Sequence, residues 1–247
     1  MKCIGLVLFT TAVSWMAVPQ SKPSSMEEIL RVNWNKQSLA ELERLIPDQT
    51  AAQQFATAVL MAQPHTEPDN VYKLDVDAEV VVEYEFVDLK GDGSVQFVCL
   101  LDFTGRMRPT ILMAVENDHG HLKTADLAGG EGGLGLGHLS GILRDIRHNG
   151  RNEVVTSNAL EPFAGIMPTP YMEHVYLYQD GQLVPSDREF LDYYRNQALP
   201  ERREELNELL QHPPAPDADP EQREYFRKSV EAKQEEIAAL KNLLSNP

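Results

Sequence analysis

The sequence predicts an α+β protein, with an antiparallel β-rich centre of about eight strands flanked by N- and C-terminal helices. Three observations predict it. Apolar residues recur at helical spacing before Gln63 and again after Asp187. Between them the period changes to two, as in a half-buried strand. Turn signals, GDG, FTGR, NDHG, RHNG and QDG, then divide the centre into short segments.

The first 17 residues read as a cleaved secretory signal: Lys2, an apolar run from Ile4 to Val13, then small residues at Ala12 and Ser14. The run is shorter than the ~20 residues a membrane span needs. Cys3 leaves with the signal, so Cys99 is the one cysteine of the mature chain. It sits in the apolar run FVCLL and reads as a buried small hydrophobe.

Residues 24–63 form the N-terminal helical segment. Ser38 and Glu41 are spaced as a capping box ahead of the stripe Leu39, Leu42, Leu45 and Ile46, which Pro47 ends. A second helix from Asp48 to Ala62 carries Phe55, Val59 and Leu60 on one side. Gln63–Asn70 is a linker by composition.

Residues 78–186 are the β-rich domain. In EVVVEYEF, Val80, Val82, Tyr84 and Phe86 share one face and Glu83 and Glu85 the other. Further strands are predicted at 95–102, 110–116, 121–127, 138–144, 152–158, 173–178 and 182–184. Two longer connections interrupt them, the glycine-rich Ala128–Gly137 and the proline-broken Ala159–Pro170. Residues 187–247 return to helix. DREFLDYYRNQ and ERREELNELLQ read as two helices parted by Pro200, and 212–220 as a stiff Pro-rich linker. A last helix with the stripe Phe226, Val230, Ile237, Leu240 and Leu244 packs on the β unit or pairs with another copy.

The net charge of −16 repels phosphate backbones and speaks against a nucleic-acid partner. With 42% hydrophobic residues the chain is ordinary for a globular protein, and after the signal no segment reads as a membrane span.

The centre contains one loop pattern twice, 57 residues apart: DLKGDGSVQFV from Asp88 and DIRHNGRNEVV from Asp145. A calcium loop needs oxygens at its first, third and fifth positions, glycine at the sixth and a later acid. Here the first position is Asp88 or Asp145, the fifth Asp92 or Asn149, and the sixth Gly93 or Gly150. The third is a cation in both, Lys90 and Arg147; the ninth is Gln96 and Glu153. The two stretches resemble the loop-strand signature of FG-GAP or VCBS-type repeats, which build β-propeller blades as in the integrin α head. The resemblance covers Glu79 to Asp187 and implies two blade-like repeats of about sixty residues. It also implies candidate metal residues at Asp88, Asp92, Asp145, Asn149 and Glu153. The cations at the third position stand against calcium on ligand count. Lys90 is expected to bridge Asp88 and Asp92, and Arg147 to pair with Asp145 and Glu153, each replacing a metal ion.

Two blades leave exposed edges. Helices cover them, or several chains close a ring, or the strands form a sandwich or barrel; the helices on both sides favour the first. Removal of Asp187–Pro247 is then expected to cost solubility.

Other chemistry is thinner. AGGEGGLGLGH has neither dinucleotide-loop nor P-loop spacing. His119, His121, His138, His148 and His174 match no zinc spacing. GHLSG is not a nucleophile elbow. Tyr171, Tyr176, Tyr178, Tyr193 and Tyr194 line a sugar or peptide groove, or sit at the edge of the core. The reading is a secreted or periplasmic non-catalytic interaction or scaffold module with a protein or glycan partner and no cofactor. The alternatives are an envelope hydrolase with its site between sheet and helices, and a calcium-dependent adhesion module.

Overall fold

The computed structural model describes residues 26–62, 79–103, 111–128, 138–160 and 168–246. The signal, the linker Gln63–Asn70, the FTGR turn after Phe103, nearly all of the glycine-rich connection and residues 161–167 of the later one lie outside them.

Among the described residues eight strands form two four-stranded antiparallel sheets, each a simple meander. The first comprises β1 (Glu79–Val87), β2 (Gln96–Phe103), β3 (Ile111–Asp118) and β4 (His121–Ala128). The second comprises β5 (Leu143–Arg144), β6 (Glu153–Ala159), β7 (Tyr171–Gln179) and β8 (Gln182–Pro185). The sheets stack face to face through an apolar layer that includes Val98, Leu100 and Leu112 of the first and Leu143, Val154 and Tyr178 of the second. Outer strand β4 lies beside outer strand β8.

Helices cover both outer faces. Over the first sheet lie α1 (Met26–Arg31), α2 (Leu39–Leu45) and α3 (Gln49–Ala62). Their Leu42, Ile46, Phe55 and Val59 pack with Val81, Phe97, Cys99 and Val115. Trp34 joins this layer, its ring centroid 6.1 Å from Phe55 and 6.3 Å from Phe86. Its Nε1 donates to the Ile29 carbonyl at 3.1 Å, so the one polar atom of the indole is satisfied on burial. Phe97 is fully buried among these rings, and truncating it to Ala costs about 3–5 kcal/mol.

Over the second sheet lies a helical run from Asp187 to Gln211. It passes from a 3-10 turn (Asp187–Phe190) through α5 (Leu191–Tyr193) and a π-helical turn (Tyr194–Ala198) into α6 (Leu199–Gln211). The long helix α7 (Pro220–Ser245) returns along α6. Tyr194, Leu199, Ile237 and Leu240 pack with Val155, Val175 and Leu177. The order of layers is therefore helices, sheet, sheet, helices.

The structure corrects several sequence expectations. The helices cover faces rather than edges, and among the described residues each outermost strand has a single neighbour. A bulge between Val81 and Glu83 shifts the alternation in β1, and Val81 joins Tyr84 and Phe86 on the helix-covered face. Most of 138–144 is not strand: Leu139–Ile142 make one helical turn, α4, before the two-residue β5. Ser38 makes no capping bond. Asn35 caps instead, accepting from the N–H groups of Gln37 and Ser38. Pro200 does not divide the helical run. It sits in the first turn of α6, directly after the π turn, and the run continues through it.

Among the described residues no helix is long and apolar enough to cross a membrane.

Candidate functional site

In an antiparallel meander, alternate turns fall at the same end. The β1–β2 loop, the β3–β4 turn at His119–Gly120, the β5–β6 loop and the β7–β8 turn at Asp180–Gly181 thus gather at one end of the stack. Left-handed residues concentrate there: His119, His148 and Asp180 have φ near +50°, and Gly93 and Gly150 have φ of +87° and +81°.

The first loop is organised around Asp88, whose side chain has no solvent exposure. Its Oδ1 accepts from the N–H groups of Lys90 (3.0 Å) and Gly91 (2.6 Å), and its Oδ2 from Gly93 (2.9 Å). The second loop repeats this around Asp145, which accepts from Asn149 (2.9 Å) and Gly150 (2.8 Å). The ninth position acts alike in both. Gln96 accepts from the N–H of Leu89 at 2.7 Å, and Glu153 from that of Ile146 at 2.9 Å. In each loop, side-chain oxygens at the first and ninth positions are turned onto backbone donors, and this fixes the turn.

A cation does stand at the first loop, but it is Lys36. Its Nζ lies 3.0 Å from Asp88 Oδ2 and donates to the Gly150 carbonyl at 2.7 Å, tying both loops to the N-terminal helices. The backbone N–H of Lys36 also donates to the Gly93 carbonyl at 2.6 Å. A Cβ at Gly150 would come within 2.9 Å of this ammonium. Arg151 completes the junction. Its Nε donates to the Leu89 carbonyl at 3.1 Å and its guanidinium to the Tyr178 carbonyl at 3.2 Å, while its stem packs over Gly91.

The expected partners of Lys90 and Arg147 are corrected. Lys90 reaches Glu116 at 2.5 Å, and Arg147 pairs with Glu189 at 3.1 Å and lies over the Phe190 ring. Asp92 binds the N–H and hydroxyl of Ser94. Hydrogen bonding from that hydroxyl holds its carboxyl below the usual range. The first loop does not fit a calcium ion: the oxygens of Asp88 already face three N–H groups and an ammonium, and the third position supplies no oxygen. In the second, Asp145 is likewise turned to backbone donors, and Arg147 leaves the same gap. Glu153 is fully buried, with Oε2 on Ile146 and Oε1 without a partner among the described residues. Burial pushes its carboxyl up, against the pull of Arg147 and Arg151. Among the described residues, no group of three or more His, Cys, Asp or Glu side chains is placed to hold a metal ion.

Beside the first loop a cleft of about 510 Å³ opens between the two sheets. The side chain of Lys90 leaves its loop to line it. Glu116 stands on its inner wall, accepting from Lys90 and from the buried Tyr178 hydroxyl at 3.3 Å. Burial, then the Glu116 charge, pushes that hydroxyl's pKa upward. Lys123 pairs with Asp118, whose carboxyl is held at about 2 by this ammonium and the His119 ring. Asp180 lines the opposite wall and makes no ion pair among the described residues. Of this set the sequence singled out Lys90, Tyr178 and the histidine turn. Lys36, Arg151, Glu116, Lys123 and Asp180 carry no local signal, because their roles depend on which turns meet in space.

A second, open pocket of about 380 Å³ lies between α3, β1 and α4. Glu83 accepts from the Leu139 N–H at 2.7 Å and pairs with His138. The Leu139 bond, then His138, lowers its carboxyl, while burial and then the Glu83 charge raise that of Glu85. The histidines do not converge: His119, His138 and His174 face Asp118, Glu83 and Asp187 respectively. Nor do the tyrosines line one groove. Tyr178, Tyr193 and Tyr194 are buried, Tyr176 packs at the inter-sheet layer, and Tyr171 is exposed.

Comparison with family models, with characterised proteins and with solved structures finds no match for this chain.

Proposed function

We propose that this protein is a secreted or periplasmic non-catalytic interaction module, and that it engages a partner protein through the end of the stack where the four turns meet. The observation that carries the reading is the division of the surface. Both outer sheet faces are closed by helices, whereas the turn end presents a rigid polar surface held by Lys36, Asp88 and Arg151. Sites built on a fixed scaffold and displayed on its loops are the usual arrangement for recognition. The likeness of the two loops to FG-GAP or VCBS repeats supports the same reading, as does the apolar stretch at the N-terminus.

Site-specific photo-crosslinking in the native host tests it. A crosslinker at the exposed His119 or His148 is expected to trap a discrete partner, and one at the exposed Glu208 of α6 is not. Adducts from Glu208 alone would overturn the reading.

The Glu83–Glu85 pocket favours a second reading, an envelope hydrolase. Two carboxyl groups on one strand face, shifted in opposite directions, suit an acid–base pair. Turnover of a glycoside or ester panel that disappears in both Glu83→Gln and Glu85→Gln would establish it in place of the first.

A further inference from the structure

The cleft at the turn end lies between two of the outermost strands, β4 and β8, each paired on one side only among the described residues. Edge strands offer a row of backbone donors and acceptors to an added strand. Lys123 and Thr124 of β4 and Gln182 of β8 line the opening, so such a strand entering here meets polar side chains on both flanks. The volume, about 510 Å³, is of the size that holds a small ligand or a few peptide residues. Its lining is polar, which disfavours an apolar occupant.

Charge decides what kind of chain fits. Lys90 is neutralised by Glu116 and Lys123 by Asp118. Asp180 has no ion-pair partner among the described residues and sits on a turn that fixes it in the left-handed conformation at φ of +50°. The cleft therefore carries one uncompensated negative charge at a set position, in a protein whose net charge of −16 draws in cations. We infer that the cleft between β4 and β8 binds an extended basic peptide segment of a partner protein, with an Arg or Lys side chain seated against Asp180 and its backbone along the β4 edge. This rests on the interaction reading above and names the partner's chemistry. Main-chain pairing supplies affinity and the side-chain pocket supplies selectivity, as in strand addition generally.

The probe is a fluorescein-labelled decapeptide of alternating Arg and Thr, which in extended form places every Arg on one face. A decapeptide of alternating Glu and Thr is the control. Anisotropy titrations compare the purified protein with Asp180→Asn, chosen because Asn tolerates the left-handed turn, and with Asp217→Asn in the exposed α6–α7 linker, which alters net charge equally. The expected result is saturable binding of the basic peptide, at least fivefold weaker in Asp180→Asn and within twofold of wild type in Asp217→Asn. Of the adjacent Lys123 and Thr124 amides, the one that points away from β3 should gain hydrogen-exchange protection on binding. Equal weakening in both variants would show attraction by bulk charge alone and overturn the inference, as would no binding or equal binding of the acidic peptide. None of these results bears on crosslinks formed from His119 or His148, so the interaction reading stands or falls separately.

Discussion

Lys36 meets Asp88 at 3.0 Å, an ammonium from the N-terminal segment closing on a carboxylate with no solvent exposure of its own. Lys36 is itself about half exposed, and the same ammonium binds the Gly150 carbonyl of the second loop. One side chain thus joins three segments distant in sequence.

Replacing Lys36 by Met should lower stability by about 2 kcal/mol, since it leaves a buried carboxylate without its counter-charge while three N–H bonds remain. Asp88→Ala should cost more, because those three donors lose their acceptor as well. Urea melts of the two variants and of the pair measure both effects. If the ammonium and carboxylate are coupled, the double variant loses less than the sum.

Thermal melts in millimolar calcium and in chelator should coincide. A ligand of the native state raises the midpoint by linkage, and the Asp88 oxygens face Lys36 and the loop's own N–H groups. A calcium-dependent rise would show that the ion displaces Lys36 or finds other oxygens.

Glu153→Gln should stabilise the protein at pH 8 and leave it unchanged near pH 4. The sign follows from the direction of the shift. Burial raises the folded carboxyl above its ordinary value, outweighing Arg147 and Arg151, while the Asp145 charge adds to the rise. The protonated form is the one the fold prefers. Its contribution is full below the unfolded value and is lost as pH rises through the folded one. A neutral amide removes that dependence and keeps an acceptor for Ile146, as Gln96 does for Leu89 in the first loop. Melts from pH 4 to pH 8 should therefore be flatter in the variant.

Deleting Asp187–Pro247 should bring aggregation. Val155, Val175 and Leu177 lose their cover from Phe190, Tyr194, Leu199, Ile237 and Leu240. Soluble yield and dye binding to exposed apolar surface report this. A stable, soluble truncation would mean that the second sheet does not need its helices.

Much of this fold was legible in the sequence because its signals are local. Period-two alternation and Gly-containing turns located seven of the eight strands, and the stripe of α7 proved to be its packed face at Ile237 and Leu240. What escaped depends on contacts across the chain. The bulge at Val81 follows from pairing with Leu101 and Leu100, not from β1 itself. The π turn lets consecutive Tyr193 and Tyr194 both turn inward, to Glu173 and to Asp187. Burial opposes ionisation of Asp187, yet the His174 ring, the Tyr194 hydroxyl and the Val175 N–H together hold its carboxyl below the usual range. At the candidate site the loops were visible as loops. The cation that serves the first was not, because Lys36 lies in a segment with no pattern tying it to Asp88.

Repeating arrays lengthen by leaving an apolar face open at the growing end, onto which the next unit stacks. Here the outer face of the first sheet lies under Phe55 and Trp34 and that of the second under Tyr194 and Leu240, so among the described residues neither face is left open for stacking. Any enlargement has to enter from the middle, by parting Val98 and Leu100 from Val154 and Tyr178 and sliding a third sheet between them. The architecture is a closed set of two, with its bookends already in place.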